Sequence, residues 1–118
     1  MKFQLTKEKF MWLFTTTGFV SAVNNGTDLI VRARDKESLE PLAELAKAEV
    51  INTPHNDYPY RVVVTNELFS NWVAHMAAGI NYKNFKSEVA ATRGQDFAHP
   101  LMLVWSAMHE VEDSNARE

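Results

Sequence analysis

Asn24-Asn25-Gly26-Thr27-Asp28-Leu29-Ile30-Val31-Arg32-Ala33-Arg34 is the stretch that decides the fold. Asn and Gly tolerate positive φ, so Asn24-Asn25-Gly26 reads as a tight hairpin turn. In the strand that returns from it, Leu29, Val31 and Ala33 alternate with Ile30, Arg32 and Arg34. That alternation gives one core face and one face carrying two arginines. The outgoing arm, Met11 to Val23, is dense in Trp, Phe, Thr and Val, which suit a pleated surface, with Gly18 as a bulge or bend.

Beyond Arg34 the period changes from two to that of a helix. Ser38 can cap a helix that holds Pro41 in its first turn and presents Leu39, Leu42, Ala43 and Ala46 as one apolar stripe. Val50 to Thr53 reads as a short strand ended by Pro54, and Tyr60 to Thr65 as the next strand. Asn66 can cap a helix with Leu68, Phe69, Trp72, Val73 and Met76 on a wide apolar face, terminated by Gly79. A third helix, capped by Asn81, places Tyr82, Phe85 and Val89 on one face between Lys83 and Lys86 and ends near Gly94. A last helix from Pro100 buries Leu101, Val104, Trp105 and Met108, and the tail from Glu112 frays.

The order ββαββααα predicts an α+β fold: a small antiparallel or mixed four-stranded sheet covered on one face by helices. A three-stranded sheet, with the Met11 to Val23 segment bent into two pieces at Gly18, is the alternative. Residues 1–118 read as one domain with loose ends at 1–8 and 112–118. Trp72, Trp105, Phe85, Val62 and Leu42 are expected in one core, and Trp12 as a packing residue too. An exposed tryptophan would instead mark a contact surface.

Composition narrows the chemistry. The chain has 118 residues, 46% hydrophobic and 23% charged, the balance of a globular domain with a real core. No run approaches the roughly 20 apolar residues that span a bilayer, and the polar start is unlike a signal peptide, so the expected address is cytoplasmic. The absence of cysteine excludes disulfides, thiolate metal sites and a cysteine nucleophile. A formal charge of −3 argues against general nucleic-acid binding, although net charge says nothing about how charge is distributed.

Two aromatic, basic segments are the candidate site: Asn56-Asp57-Tyr58-Pro59-Tyr60-Arg61 and Asn81-Tyr82-Lys83-Asn84-Phe85-Lys86. Both end at a regular element, and they are expected to lie close together. Arg32, Arg34 and Arg61 can converge on one sheet surface with Lys83 and Lys86 nearby, where arginine forks suit phosphate or carboxylate groups. The plainer reading is a solvated sheet face. Tyr58 and Tyr60 can stack on a base or line a partner-binding surface, though a proline flanked by tyrosines also stiffens a turn, and Tyr82 belongs to the second segment of the candidate ligand-binding set. Asp57 is the carboxylate in the most suggestive setting, and an Asx turn ahead of Pro59 is its plainer role. Asn84 completes the candidate ligand-binding set.

Other chemistries find no pattern. His55, His75, His99 and His109 lack the spacing of a helical metal motif, so no metal is expected, and the four glycines stand singly, so no phosphate loop or dinucleotide fingerprint exists. No serine has a nucleophile-elbow context. No cofactor is expected.

Gly18-Phe19-Val20-Ser21, Leu29-Ile30-Val31-Arg32-Ala33-Arg34, Asp57-Tyr58-Pro59-Tyr60-Arg61-Val62-Val63-Val64 and Tyr82-Lys83-Asn84-Phe85-Lys86 together resemble a family of small uncharacterised bacterial and phage proteins. The resemblance spans roughly Met11 to Met108 and implies that the four segments act as one unit. It brings no activity with it.

The reading that follows is a cytoplasmic, non-enzymatic binding module, self-associating as a homodimer, that recognises an anionic small molecule or a protein partner through its arginine and tyrosine surface. An accessory or counter-defence role is consistent with phage-type proteins of this size, which often act by occlusion. The alternative is a small enzyme acting on a phosphate-bearing substrate, with Asp57 as base and Arg61 or Lys86 stabilising charge. A purely structural subunit is the third reading.

Overall fold

A computed structural model describes residues 10–116, with side chains to residue 112. The strands are β1 (Phe10–Thr15), β2 (Gly18–Asn24), β3 (Leu29–Ala33), β4 (Ile51–Asn52) and β5 (Tyr60–Val64). The helices are α1 (Glu40–Ala46), α2 (Asn66–Ala78), α3 (Phe85–Arg93) and α4 (Gln95–Ala116). All strand pairs are antiparallel, in the order β1-β2-β3-β5-β4. The fold is α+β, as the sequence predicts, but the sheet has five strands rather than four.

The extra strand comes from the Met11 to Val23 segment, which is a hairpin. Thr16 and Thr17 form its turn, with Thr15 paired to Gly18. The Thr15 hydroxyl oxygen accepts the amides of Thr17 at 3.2 Å and Gly18 at 3.1 Å. A threonine hydroxyl thus does the work for which Asn and Gly are the usual signal. The predicted second hairpin is present: Asn24 pairs with Leu29, and Asn25 to Asp28 form the loop. The Asn25 amide donates to the Asp28 carbonyl at 2.9 Å, and Gly26 takes φ 91°.

The chain falls into two compact units, the first through Ile80 and the second from Asn81. In the first unit, Val20 and Ala22 of β2, Val31 and Ala33 of β3, and Val62 and Val64 of β5 form one sheet face. α1 covers it with Leu39, Leu42 and Ala43, and α2 with Phe69 and Trp72. All eleven of these residues are buried in one core. Burial of each large side chain is worth about 1.5–3 kcal/mol, which is why the alternation in the strands and the stripes on the helices bind these elements together.

Several local details differ from the sequence reading. Ser38 does not cap α1: its hydroxyl donates to the Asp35 carboxylate and accepts the Phe19 amide at 3.2 Å, so it ties the helix approach to β2. α2 is capped by Thr65 rather than Asn66, through a 3.1 Å bond from the Leu68 amide to the hydroxyl. α3 is capped by Asn84 rather than Asn81. α4 begins five residues before Pro100, at Gln95, because Gly94 both ends α3 and accepts the Ala98 amide into the new helix. Pro100 is carried inside it, leaving the Asp96 carbonyl without that helical donor. The helix also runs through the expected fraying region to Ala116, while the expected loose end at residues 1–8 lies outside the described residues.

The expected core splits likewise. Trp72, Val62 and Leu42 are buried together, but Phe85 is only half-buried in the second unit. Trp105 and Trp12 are exposed, at 56% and 57%. Within the second unit, α3 and α4 bury Val89, Ala98 and Leu101, and α4 leaves Val104, Trp105, Met108 and Val111 exposed. A pair of helices has too few facing positions to cover a stripe as wide as that of α4. Among the described residues no helix is long and apolar enough to cross a membrane.

Candidate functional site: the sheet face opposite α1 and α2

Side chains of paired residues point to the same side of a sheet. The register therefore sets Trp12, Ser21, Arg32, Arg61 and Ile51 in one row across all five strands, on the face away from α1 and α2. A second row is Phe10, Val23, Ile30 and Val63, and a third begins with Phe14 and Phe19. The edges of this face stay open: Phe10, Trp12, Ile51 and Val63 are each more than 40% exposed.

The aromatic rings form a connected line. Phe10 lies 5.5 Å from Trp12 between ring centres, Trp12 stands edge-on to Phe19 at 5.9 Å, and Phe19 stacks on Phe14 at 4.5 Å. Phe19 then reaches Tyr58 at 6.5 Å. Tyr58 is itself buried, and the guanidinium carbons of Arg32 and Arg34 both lie 4.5 Å from the centre of its ring. A ring face attracts a cation through its quadrupole, so Tyr58 holds two guanidinium groups together that would otherwise repel.

Hydrogen bonds fix the same group. Arg32 donates to the Ser21 hydroxyl at 2.8 Å, which gives a polar partner to a side chain that is fully buried. Arg34 donates to the Asp57 carbonyl at 3.0 Å and to its carboxylate at 3.2 Å. The turn that carries Tyr58 is tied to the β4 side by the Pro59 carbonyl, which accepts the Thr53 amide at 2.6 Å and the Thr53 hydroxyl at 3.1 Å. The Nε atoms of Arg32 and Arg61 are buried and make no hydrogen bond.

Of the residues singled out in the sequence, Arg32, Arg34, Asp57, Tyr58 and Arg61 belong to this face or its rim. Tyr60 does not: it pairs with Ala33 and Asn52, one residue out of phase with Arg61, and packs against the helix-covered core. The two candidate motifs fall in different units, Tyr60 in the first and Tyr82 in the second. In the second unit Tyr82 lies 6.3 Å from Phe85, and the Asn84 carboxamide oxygen accepts the Ser87 amide as the cap of α3. The Lys86 ammonium donates to the Met102 sulfur at 3.3 Å and sits 4.6 Å above the Trp105 ring. Asn84 and Lys86 also line a surface cleft of about 620 Å³ with Ser87, His99 and Met102.

Phe10, Trp12, Phe14 and Phe19 were not among the sequence candidates. The signal was available in the every-second-residue spacing of Phe10, Trp12 and Phe14 along Phe10-Met11-Trp12-Leu13-Phe14, but it shows only once the hairpin after Thr15 is recognised. No protein-family model, curated protein or solved structure matches the chain.

Proposed function

We propose that this protein is a non-enzymatic binding module that takes an anionic partner on the face of its sheet opposite α1 and α2. The observation that carries the reading is the row Trp12, Ser21, Arg32, Arg61, in which two arginines stand side by side at the centre of an aromatic face, with Arg34 at its rim. Among the described residues, no strand position of this face holds Asp or Glu; Arg34 at the rim is paired with Asp57, so the positive charge of the face rests on Arg32 and Arg61 while the chain carries −3. What weighs for binding over catalysis is the setting of Asp57, the proposed base of the enzyme reading. Its side chain is 79% exposed and paired with Arg34, whereas a general base works from a closed site against a positioned substrate.

A heparin column tests this directly. An acidic protein with evenly spread charge passes through such a polyanion at low salt, and one with a concentrated basic face is retained. The parent protein is expected to bind, and the Arg32→Gln, Arg61→Gln double variant to elute at clearly lower salt. Passage of the parent unretained, or co-elution of the two proteins, removes the reading.

The same proposal includes self-association through α4. Val104, Trp105, Met108 and Val111 lie at helical spacing and are exposed, and symmetric pairs built on such seams are the commonest closed assembly. Sedimentation equilibrium over about a hundredfold range of concentration is expected to show a dimer for the parent and a monomer for Trp105→Glu. A parent that stays monomeric throughout removes the dimer and leaves the sheet-face reading intact.

A further inference from the structure

The chemistry of the open face narrows its partner further, and we infer that the anion it takes is single-stranded nucleic acid. The inference rests on the binding reading above. It starts from the pairing of two features that serve one ligand class: a line of aromatic rings and a set of guanidinium groups beside it. Phe10 and Trp12 are 47% and 57% exposed on β1, and Phe19 carries the ring line onward to Tyr58. Arg32 and Arg61 stand on the neighbouring strands β3 and β5, and Arg34, paired with Asp57, stands just past β3.

An aromatic ring stacks on any base because every base has a π face, and guanidinium groups pair with the phosphates between bases. Rings exposed on an antiparallel sheet can use bases only when those bases are unstacked from a duplex. A double strand hides its base faces and meets such a sheet with phosphates alone. The geometry therefore selects for single strands, which leaves the rings of Phe10 and Trp12 with a partner.

A protein partner fits less well. The core of a protein interface is depleted in charge, and here Arg32 lies on the central strand of the sheet with Arg61 beside it. A protein laid over this face would have to strip water from two adjacent guanidinium groups, whereas phosphates meet them as counterions that remain hydrated. A second copy of this chain fits worst, because it would bring the same positive row against itself. The charge of the whole chain does not oppose the inference. With the acidic residues away from the strand positions of this face, a polyanion is steered to the one side that attracts it.

The experiment is fluorescence anisotropy with labelled 12-nucleotide dT and rU strands, the matching duplexes, and competition by inorganic polyphosphate and polyglutamate. Binding of the single strands is expected, with the duplexes weaker. Trp12→Ala is expected to weaken single-strand binding by about 5- to 150-fold, the weight of one stacked base, and Trp12→Phe to restore most of it. Arg61→Gln should reduce the slope of log affinity against log salt by about 0.7, one phosphate contact. Trp12 is exposed, so its variants are expected to keep the parent circular dichroism, and Trp12→Phe controls for any loss of β1.

Equal affinity for duplex and single strand, or indifference to Trp12→Ala, overturns the inference. Binding of polyphosphate or polyglutamate in preference to the oligonucleotides also overturns it, in favour of a small anion or an acidic protein, while the anionic reading stands. Failure of every anionic probe to bind removes both.

Discussion

Trp72→Ala is expected to cost about 3–5 kcal/mol of unfolding free energy, the range for deleting a large aromatic side chain from a packed core. Trp72 is only 2% exposed and lies on the face of α2 that meets the sheet, with Phe69 5.9 Å away between ring centres. It shares its core with Val31, Val62 and Leu42, each fully buried. Removing the indole leaves a void that Val31 and Val62, β-branched and stiff at χ1, fill poorly. Urea denaturation followed by far-ultraviolet circular dichroism measures the loss. The matched control is Trp105→Ala, in which the side chain is exposed and makes a cation–π contact with Lys86 and an edge contact with His109. Its expected cost is below about 1 kcal/mol. Equal losses at the two tryptophans would show that the indole of Trp105 is covered in solution and that the core is larger than the first unit displays.

Gly18→Ala is expected to cost about 2–4 kcal/mol, more than any ordinary change to alanine at a strand end. The backbone at Gly18 takes φ 159°, at the edge of the range that L side chains rarely adopt, so part of the cost comes from φ. The larger part comes from space. A methyl group at this position would lie 2.7 Å from the Cα of Ser38 and closer still to its side chain. Real Cβ atoms do not approach backbone that closely, so the Ser38 turn must move away from β2. Overpacking of this kind costs about 1–3 kcal/mol, and the displaced Ser38 hydroxyl gives up its bond from the Phe19 amide, worth about 1 kcal/mol more. Leu39 follows Ser38 directly and is fully buried, so the shift is transmitted into the core. The double variant Gly18→Ala, Ser38→Gly should recover part of the loss, because removing the serine side chain leaves only the backbone to be displaced. No recovery would show that the backbone approach alone sets the cost.

Phe19 joins these stability arguments to the proposed function. Its amide is held by Ser38 on the helix side, and its ring is stacked on Phe14 on the open side. The same strand position thus anchors α1 and supports the aromatic line. A small displacement at Gly18 is expected to reach the proposed binding face through Phe19, which is why the oligonucleotide experiments use Trp12, at the edge strand, and not β2.

Much of the fold was legible in residues taken one element at a time. The alternation Leu29, Val31, Ala33 against Ile30, Arg32, Arg34 separated a core side from an arginine side, and Val31 and Ala33 are indeed fully buried. Asn24-Asn25-Gly26 marked a hairpin, Pro41 marked a first helical turn, and Gly79 and Gly94 marked helix ends. These are local signals, since each depends on φ, on a missing N–H or on a side-chain period of two or about four. Where the local signal was weak the reading slipped. Thr15-Thr16-Thr17-Gly18 holds no Asn, Asp or Pro, so the first hairpin passed as one bent strand, and with it went the ring positions on β1.

The candidate site divides in the same way. The sequence by itself determined that Arg32, Arg34 and Arg61 are polar positions in apolar strands and that Tyr58 sits in a constrained turn. It also determined that Trp72 lies on an apolar helical stripe. Only the tertiary structure decided that Arg32 and Arg61 are neighbours, that Trp12 shares their row, that Tyr58 is buried between two guanidinium groups, and that Tyr60 faces the other way. The physical reason is that alternation sets which residues of one strand share a side but not how two strands are aligned. Alignment is set by the pairing register and the loops between strands, and a shift of one residue turns every side chain to the opposite face.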